Sequence, residues 1–396
     1  MSDDTIVIVG AGPAGLAAGH ELAGRGIRPI ILEKADKVGG LSRTETYKGY
    51  NLDIGGHRFF THYPQVAELW RRMLGEDFLT VSRSSRIYYQ GRFFKYPLDF
   101  VNSLSNLGAA EGFRILLSYL KAKLRPSREE ETFDQWVINR FGSRLYEIFF
   151  KEYTEKIWGM PCHQIQADWA AQRISGLSFT SVLSNAIFGT KNGRTMIDEF
   201  HYPVKGPGMM WSRFQQEITR LGGRFRLDSE VVGLRRERSR IASVKCVTGN
   251  DIAEIPARHV ISSLPINRLV ALLEPEAPPP VLEASRRLRH RSFIMVSLII
   301  SRKDVFPDQW IYVHNPAVKV ARIQNFKNWS AAMVPDDSVT SVGMEYFSDE
   351  GDEIWGMQDT GLKEMACREL TELGLADKLV VTDQLVIRQP DAYPVY

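Results

Sequence analysis

The sequence of 396 residues contains few cysteines, little net charge and no long apolar run. Its three cysteines, Cys162, Cys246 and Cys367, lie far apart, without the spacing of a metal site or of a C-x-x-C redox pair. We therefore expect ordinary thiols, buried or on the surface, and no metal site.

The small net charge and the lack of a long apolar run bear on whether the protein binds nucleic acid or a membrane. Lys and Arg number 50 against 47 Asp and Glu, so the net charge of +3 requires neither nucleic acid nor a membrane as partner. No apolar stretch approaches the ~18 residues of a membrane helix, and no signal peptide precedes the first predicted strand. The sequence predicts a cytoplasmic protein without a transmembrane segment, and it leaves the oligomeric state open.

The N-terminal stretch "TIVIVGAGPAGLAAGHELAGRGIRPIILEK" carries a regular pattern of glycines. Residues 5–9 are mostly β-branched or apolar, which is typical of a buried parallel strand, and residues 29–32 repeat that character. Between them, Gly10, Gly12 and Gly15 fit G-x-G-x-x-G and precede a helical segment. This order predicts a strand–helix–strand unit.

Each part of this unit has a task in dinucleotide binding. Gly10 permits a tight turn, Gly12 lets a pyrophosphate approach the backbone, and Gly15 lets the helix pack closely on the strand. Glu33 follows Gly15 by 18 residues, near the distance at which a carboxylate accepts hydrogen bonds from the adenosine ribose. The alternative is an ordinary turn between a strand and a helix.

A second glycine pair indicates which dinucleotide is bound. In "EKADKVGGLSRT", Gly39 and Gly40 follow Glu33 after five residues, and Ser42 and Thr44 offer hydroxyl groups. This spacing resembles the extended fingerprint of FAD enzymes related to glutathione reductase and the amine oxidases, whereas the alternative is a simple glycine turn. We therefore predict FAD as cofactor. The predicted cofactor contacts are Gly10, Gly12, Pro13, Ala14, Gly15, Glu33, Lys34, Gly39, Gly40, Leu41, Ser42, Arg43, Gly55, Gly56, His57 and Val231.

The rest of the chain alternates between helical and strand-forming stretches, without repeats or low-complexity tracts. We expect an α/β fold with a discontinuous, Rossmann-like FAD-binding domain, a helical insertion and a substrate domain built on an antiparallel sheet. The predicted boundaries are 1–86 and 195–290 for the FAD-binding domain, 97–194 for the insertion, and 87–96 and 291–396 for the substrate domain. Within 87–96, "IYYQGRFFKY" predicts a hairpin that turns at Gln90 and Gly91.

Three further segments are candidates for the reaction site. "DIGGHRFFTH" places two glycines before His57, so that the backbone could approach a flat ring, or it could be a turn with a surface histidine. "YTEKIWG" holds Tyr153 and Trp158, which could also be core aromatics. "YPVKGPGMMW" is either another close backbone approach, through Lys205, Gly206 and Gly208, or simply the start of a helix.

These three segments resemble the UDP-galactopyranose mutases, flavoproteins of the amine oxidase and protoporphyrinogen oxidase superfamily. "GGHRFFTH" is similar to the histidine loop of the mutases, and "YTEKIWG" is nearly their Tyr-Thr-Glu-Lys-x-Trp-Gly motif. "YPVKGPGMMW", "ARIQNFKNW" and "AYPV" are similar to their glycine-rich segment, an arginine-bearing strand and a substrate-facing Tyr-Pro-Val. The matches are spread over the whole chain.

The resemblance implies a role for each matching residue. His57 would lie beside flavin N5, and Arg173 and Arg322 would bind the diphosphate of a nucleotide-diphosphate sugar. Tyr153, Trp158 and Tyr393 would line the sugar pocket. In the mutases, reduced flavin is a covalent catalyst with no net redox change, and NAD(P)H is a candidate reductant here. From the residues alone, without the resemblance, Arg173 and Arg322 would be interpreted as surface or structural ion-pair residues.

The sequence departs from the mutase pattern at several positions. Phe60 stands where the bacterial mutases commonly have a second histidine, and Gly56 where they commonly have alanine. No uridine-stacking segment is recognisable between Phe179 and Phe200, so the sequence does not identify the nucleotide or the sugar of the substrate. In the mutases, the chain continues beyond the position that matches Tyr396, with a Gly-Arg-containing strand and helix that close over the flavin.

Two other functions therefore remain open beside a mutase-like isomerase. One is an FAD-dependent oxidoreductase of the amine oxidase, desaturase or protoporphyrinogen oxidase type, whose pocket would be lined by apolar and aromatic groups. The other is a flavin-binding protein without catalytic activity.

Overall fold

The computed structural model describes residues 5–96, 100–174, 199–376 and 380–395. Within these ranges the chain forms two compact units. The first unit comprises residues 1–80 and 201–289, and the second comprises residues 81–200 and 290–396. The finer division into three domains stays a prediction.

The helices of the described residues are short to medium in length. In chain order they are α1 (Pro13–Gly24), α2 (Pro64–Leu74), α3 (Phe100–Leu107), α4 (Ala109–Leu124), α5 (Phe133–Phe141), α6 (Ser143–Tyr146), α7 (Glu152–Trp158), α8 (Ala167–Ile174), α9 (Gly208–Arg220), α10 (Ile266–Ala271), α11 (Pro279–Arg286), α12 (Glu353–Gly356) and α13 (Asp359–Glu372). One π-helical turn, Glu147–Lys151, separates α6 from α7. Across the part of the chain that the structure describes, no helix combines the length and apolar character of a membrane span.

The strands are distributed along both units. In chain order they are β1 (Ile6–Val9), β2 (Ile30–Leu32), β3 (Thr44–Tyr47), β4 (Tyr50–Asp53), β5 (Phe78–Ser82), β6 (Ser85–Tyr89), β7 (Arg92–Lys95), β8 (Glu199–Pro203), β9 (Arg224–Arg226), β10 (Ser229–Glu237), β11 (Arg240–Thr248), β12 (Asp251–Pro256), β13 (His259–Ser262), β14 (Leu273–Glu274), β15 (His290–Ile300), β16 (Trp310–Val313), β17 (Arg322–Asn325), β18 (Thr340–Ser348) and β19 (Val381–Pro394).

The first unit is built on a parallel sheet in the order β13-β1-β2-β9. Because side chains alternate along a strand, β1 serves two cores. Ile8 packs with Leu16 and Phe214 on the side of α1 and α9, whereas Val7 and Val9 pack towards the sheet of β10, β11, β12 and β14. The predicted strand–helix–strand unit is confirmed, and so is its interruption, because β9 and β13 complete the sheet.

The second unit is built on a sheet in the order β19-β15-β18-β17-β16-β6-β7. The stretches "SFIMVSLIISR" and "SVTSVGMEYF" form the antiparallel pair β15 and β18, as expected for a substrate domain built on an antiparallel sheet. The predicted hairpin is confirmed: β6 and β7 are antiparallel, and Gln90 and Gly91 turn with φ of 48° and 76°. One pair differs from the antiparallel expectation, because β6 runs parallel to β16.

Helices of the insertion form a second core beside this sheet. Phe133, Trp136 and Val137 of α5 are buried there together with Phe149 and Trp158. Residues 104–158, which belong to the predicted helical insertion, are mostly helical, and aromatic residues of that stretch are buried in the core of these helices. Burying such side chains contributes about 1.5–3 kcal/mol each.

Candidate functional site

The glycine turn of the first unit connects β1 to α1. Gly10 adopts φ of 95°, and its N–H donates to the Leu32 carbonyl at 2.8 Å. A Cβ atom on Gly15 would lie 1.9 Å from the Gly10 carbonyl oxygen. The first and third glycines therefore set the turn and the close packing of helix on strand, as the pattern predicts.

The second glycine leaves room for a ligand. Among the described residues, a Cβ atom on Gly12 would meet only the Gly40 Cα, at 3.8 Å, within van der Waals range. Helix α1 begins directly after it with Pro13 and Ala14, and it has neither a side-chain cap nor an acidic residue in its first turn. The N–H groups and the positive end of the helix dipole are thus available to an anion. The turn fits the pyrophosphate of a dinucleotide.

The carboxylate of Glu33 lies at the end of β2, next to this turn. It accepts hydrogen bonds from the backbone N–H of Ala11 at 2.7 Å and of Ala35 at 3.0 Å. These bonds hold it at the edge of the glycine turn, where a ribose hydroxyl could share it. Lys34 is exposed, and Val231 packs, partly buried, against the second core of this unit.

The second glycine pair lies directly against the first turn. The Gly39 N–H donates to the Ala11 carbonyl at 2.8 Å, and a Cβ atom on Gly40 would come within 3.0 Å of the Gly12 Cα. Gly40, Leu41 and Ser42 form a short 3₁₀ helix, so the backbone of both glycine motifs lines one cradle. Of the predicted cofactor contacts, this cradle brings together the two glycine motifs with Leu41 and Ser42, and their role in binding the cofactor stays a prediction.

Arg43 ends this cradle with a charged cluster. Its Nη1 donates to the Gly40 carbonyl at 3.0 Å, and its Nε to Glu45 at 2.6 Å. Lys37 also donates to Glu45, at 2.5 Å. Burial raises the pKa of Glu45, but the hydrogen bonds from Lys37 and Arg43 lower it more, so that it remains ionised and fixes Arg43 in place.

The hydroxyl of Thr44 organises the segment "YPVKGPGMMW". It donates to Asp53 at 2.6 Å and accepts from the Gly208 N–H at 3.0 Å, while Tyr202 donates to Asp53. A Cβ atom on Gly206 would lie 2.4 Å from the Thr44 hydroxyl oxygen. The segment thus makes a close backbone approach, but to Thr44 and Asp53, and it also begins helix α9. Burial raises the pKa of Asp53 to about 7.

The histidine loop carries one cation that the sequence did not single out. Gly55, Gly56 and His57 lead into Arg58, whose Nη1 is buried without a hydrogen-bond partner among the described residues. The loop is anchored by Phe59, whose ring lies 4.4 Å from that of Trp70. A buried guanidinium nitrogen without a partner is costly, and an anionic ligand would satisfy it. Its position beside His57 was the available signal.

In the second unit, Arg322 forms an ion pair across β17 and β18. Its Nε and Nη2 donate to Glu345 Oε2 at 2.7 and 2.5 Å, and Gln324 donates to the other carboxylate oxygen at 2.8 Å. The Glu345 side chain is 1% exposed and that of Arg322 is 23% exposed. Burial lowers the pKa of Arg322, but the charge of Glu345 and the neighbouring tyrosines together raise it more, so the guanidinium stays charged.

Both tyrosines that were predicted to line the sugar pocket, Tyr153 and Tyr393, lie around Arg322. Burial raises the pKa of Tyr153 and of Tyr393, and in both cases the charge of Arg322 acts in the opposite direction. The Tyr393 ring lies 5.7 Å from that of Phe347, over which the Arg322 guanidinium lies at 5.6 Å. The structure therefore brings Arg322, Tyr153 and Tyr393 together from three distant parts of the sequence.

His314 supports the ring of Tyr153 and was not recognised from the sequence. The two rings stack at 4.9 Å with an angle of 15°. Burial lowers the pKa of His314 to about 3, so the imidazole is neutral, although its hydrogen bond to the Ile148 backbone raises the pKa slightly. Ile148 belongs to the π-helical turn that precedes Tyr153. Such turns frequently occur at functional sites.

Lys156 of the "YTEKIWG" motif holds a loop rather than a ligand. Its ammonium donates to three backbone carbonyls at 3.3, 2.6 and 3.2 Å, those of Val313, Asn315 and Val320. Burial lowers the pKa of Lys156 to about 8. These bonds tie α7, and with it Tyr153, to the loop that leads into β17 and Arg322.

The structure says less about the two remaining predicted site residues, Trp158 and Arg173. Trp158 is 5% exposed and packs edge-on against Trp169, with ring centres 5.3 Å apart. Arg173 lies in α8, but its side chain is outside the described residues, as is most of the stretch between Phe179 and Phe200. The roles assigned to Trp158 and Arg173 stay predictions.

The comparison with protein families agrees with this geometry. A model of flavin containing amine oxidoreductases matches residues 13–387. The chain belongs to the flavin containing amine oxidoreductase family. Its cofactor is FAD, as the double glycine motif predicts.

Two curated relatives illustrate the range of this family. A probable UDP-galactopyranose mutase of Klebsiella pneumoniae is 28% identical over 175 residues, 42% of this chain and 44% of the relative. A coproporphyrinogen III oxidase of Mycobacterium leprae is 27% identical over 323 residues, 78% of this chain and 69% of the relative. The match thus spans less than half the length of the mutase.

Two solved structures of low sequence identity share the fold. A reduced UDP-galactopyranose mutase superposes with a TM-score of 0.85 at 19% identity, covering 99% of this chain and 84% of the mutase. A protein described as a protoporphyrinogen oxidase from Exiguobacterium sp. 255-15 superposes with a TM-score of 0.76 at 18% identity, covering 100% of this chain and 88% of the other. The predicted fold class is confirmed.

Proposed function

We propose that the protein is an FAD enzyme that isomerises a nucleotide-linked sugar with reduced flavin, in the manner of the UDP-galactopyranose mutases. The observation that carries the proposal is the position of Arg322, a charged and mostly buried guanidinium beside two tyrosines. A guanidinium presents fixed donors to phosphate oxygens and keeps its charge. Tyrosines beside it offer flat, partly polar surfaces for a sugar.

The ion pair with Glu345 determines how Arg322 would act. Of its three nitrogens, Nε and Nη2 bind Glu345, and we assign Nη1 to a diphosphate oxygen. Glu345 fixes the fork in one orientation, so less side-chain entropy is lost when the ligand binds. Arg173 and Trp158 are assigned as the second diphosphate ligand and a further pocket residue on the resemblance alone.

The glycine cradle of the first unit would hold the FAD pyrophosphate on the α1 N-terminus, and Glu33 its ribose. When bound and reduced, FAD supplies an electron-rich nucleophile that the side chains of this protein lack. NAD(P)H is proposed as the reductant. His57, on the glycine loop, is assigned to the ring edge of the flavin, and Arg58 to a nearby anionic group.

A second candidate function is oxidation of an apolar or amine substrate by FAD. It is favoured by the aromatic surroundings of the arginine, which include Tyr153, Tyr312 and Phe347, and by the neutral total charge of the Arg322–Glu345 pair. The oxidase of Mycobacterium leprae also matches more of the chain than the mutase does.

The decisive experiment compares the two flavin states. Dithionite-reduced protein, kept under anaerobic conditions, should interconvert the pyranose and furanose forms of a UDP-sugar without any electron acceptor, and the oxidised protein should be inactive. Chromatography of the products measures this. Oxygen consumption on an amine or apolar substrate, with no isomerisation of a panel of nucleotide sugars, would instead assign the oxidoreductase.

The arginine is tested with a matched pair of variants. Arg322→Lys should weaken binding of a nucleoside diphosphate about tenfold or more, because lysine lacks the fork. Arg86→Lys is the control, since Arg86 forms a similar ion pair with buried Asp308, at 2.6 Å, in the same sheet. Calorimetry that gives the same affinity for both variants and the unchanged protein would remove the main support for the proposal.

A further inference from the structure

Helix α4 exposes a continuous row of large apolar side chains. We name it the α4 stripe; its members are Phe113 at 61% exposure, Leu116 at 41%, Leu117 at 49%, Leu120 at 47% and Leu124 at 82%. They follow one another at intervals of three, one, three and four residues, so they lie on one face about 100° wide. Exposed apolar rows of this kind mark interaction surfaces.

The opposite face of α4 already has its partners. Ile115 and Tyr119 are 2% and 9% exposed and belong to the helical core of the second unit, and Ala122 on the same face is also buried, at 7%. The α4 stripe is therefore an additional apolar face, and packing of the helix against its own unit does not account for it.

Basic side chains border the stripe. At 100° per residue, Arg114, Lys121 and Arg125 fall on one flank and Lys123 on the other, and all four are exposed. The acidic residue of α4, Glu111, is held by ion pairs with Arg114 at 3.2 Å and with Arg144. The surface of α4 is thus apolar in the middle and positive at both edges.

We propose that α4 lies flat on a phospholipid surface rich in anionic headgroups, with the α4 stripe inserted at the boundary of the acyl chains. A helix with an apolar face bordered by Lys and Arg is typical of interfacial membrane binding. Its 16 residues span about 24 Å, and its other face is buried in protein, so it lies on the membrane and does not cross it. This goes beyond the proposed reaction and does not depend on it.

The charges favour lipid over a second copy of the chain. Two α4 helices packed through Leu117 and Leu120 would bring their basic flanks together, with Glu111 already engaged by two arginines. Like charges at such a contact are unfavourable. Anionic headgroups neutralise the same flanks, at about 1 kcal/mol for each Lys or Arg near the surface.

The proposal is tested by sedimentation with vesicles of phosphatidylcholine, with and without about a third of phosphatidylglycerol. The unchanged protein should bind the anionic vesicles, and binding should fall at least tenfold in Leu117→Glu/Leu120→Glu and in Lys121→Glu/Lys123→Glu. Ile252→Glu is the control, because Ile252 is an exposed apolar residue, 71% accessible, on β12 of the first unit. Far-ultraviolet circular dichroism and bound FAD should be unchanged in every variant.

Three outcomes would overturn the proposal. The first is absence of binding to anionic vesicles, and the second is binding that Leu117→Glu/Leu120→Glu leaves intact. The third is a dimer of the unchanged protein in sedimentation velocity that Leu117→Glu/Leu120→Glu dissociates, without any vesicle binding, which would assign the stripe to a second copy. Binding to neutral and anionic vesicles alike would refute the role of the basic flanks.

Discussion

The two units hold their functional residues in different ways. In the first unit, the FAD cradle is made of backbone: Gly12 and Gly40 face each other, and the α1 N-terminus supplies the charge. In the second unit, the candidate substrate site is made of side chains, with Arg322 paired to Glu345 between aromatic rings. The FAD cradle depends on the close approach of backbone segments, whereas the candidate substrate site depends on the balance of charge between Arg322 and Glu345.

This difference predicts how each site fails. A backbone cradle fails when an added side chain fills the space of its ligand or strikes its own backbone, and the contact between Gly12 and Gly40 involves no charged side chain. A buried ion pair tolerates changes of shape better than loss of one partner, because the remaining charge is left in a medium that solvates it poorly. The following variants test this contrast.

The largest effect is expected at Gly15, compared with Gly12. Gly15→Val should prevent folding of the first unit, because its Cβ would lie 1.9 Å from the Gly10 carbonyl oxygen. Gly12→Val should leave the secondary structure largely intact and abolish flavin binding, since its side chain would occupy the space of the pyrophosphate. Circular dichroism and the flavin absorbance of purified protein separate the two results.

Gly24, the last residue of α1, provides the control for these variants. A Cβ atom on Gly24 would meet no atom of the described part of the chain within 4 Å, so Gly24→Ala should retain both fold and flavin. A yellow, folded Gly12→Val protein would contradict the assignment of the cradle.

The next largest effect concerns the ion pair of the second unit. Arg322→Ala should destabilise the protein by about 3–5 kcal/mol, because Glu345 would remain buried without its partner. Urea unfolding measures this. The double variant Arg322→Met/Glu345→Gln should recover most of the loss, and a cost below about 1 kcal/mol for Arg322→Ala alone would show that the pair is not desolvated.

The same contrast explains what the sequence could predict. The glycine turn could be predicted from the sequence, because Gly10, Gly12 and Gly15 lie close together in the chain and their spacing determines the shape of the turn. Strand pairing sets the second site: Arg322 meets Glu345 only through the alignment of β17 with β18. From the residues alone Arg322 would be a surface or structural ion-pair residue, and its role came from a resemblance; Glu345 and His314 carried no such signal, and Arg58 only its position beside His57.

The titration of Asp53 gives a smaller, pH-dependent effect in the first unit. Burial raises its pKa to about 7, whereas an unfolded aspartate titrates near pH ~4. The folded state therefore binds a proton that the unfolded state releases. The stability is fully present below pH ~4 and falls as the pH rises to about 7, by at most about 1.4 kcal/mol per pH unit.

Urea unfolding between pH 5 and 8 tests this titration. Asp53→Asn should flatten the pH dependence, since the amide cannot ionise, whereas Asp251→Asn, at an exposed position on β12, should leave it unchanged. The same slope in the unchanged protein and in Asp53→Asn would exclude Asp53 as its source.

The smallest effect is expected at a backbone feature that both units share, a hairpin turn with positive φ angles. The hairpins β3–β4 and β6–β7 turn at Lys48-Gly49 and Gln90-Gly91, and all four residues have positive φ, between 48° and 85°. Asparagine is favoured over Lys and Gln at the first of these positions. Lys48→Asn and Gln90→Asn should therefore each stabilise the protein, by about 0.5 kcal/mol, as seen in the midpoint of urea unfolding. Equal gains would show that backbone rules apply alike in both units, so that only the side-chain pairing distinguishes the second site. A gain at Lys48→Asn without one at Gln90→Asn would mean that contacts around the second hairpin outweigh its turn geometry.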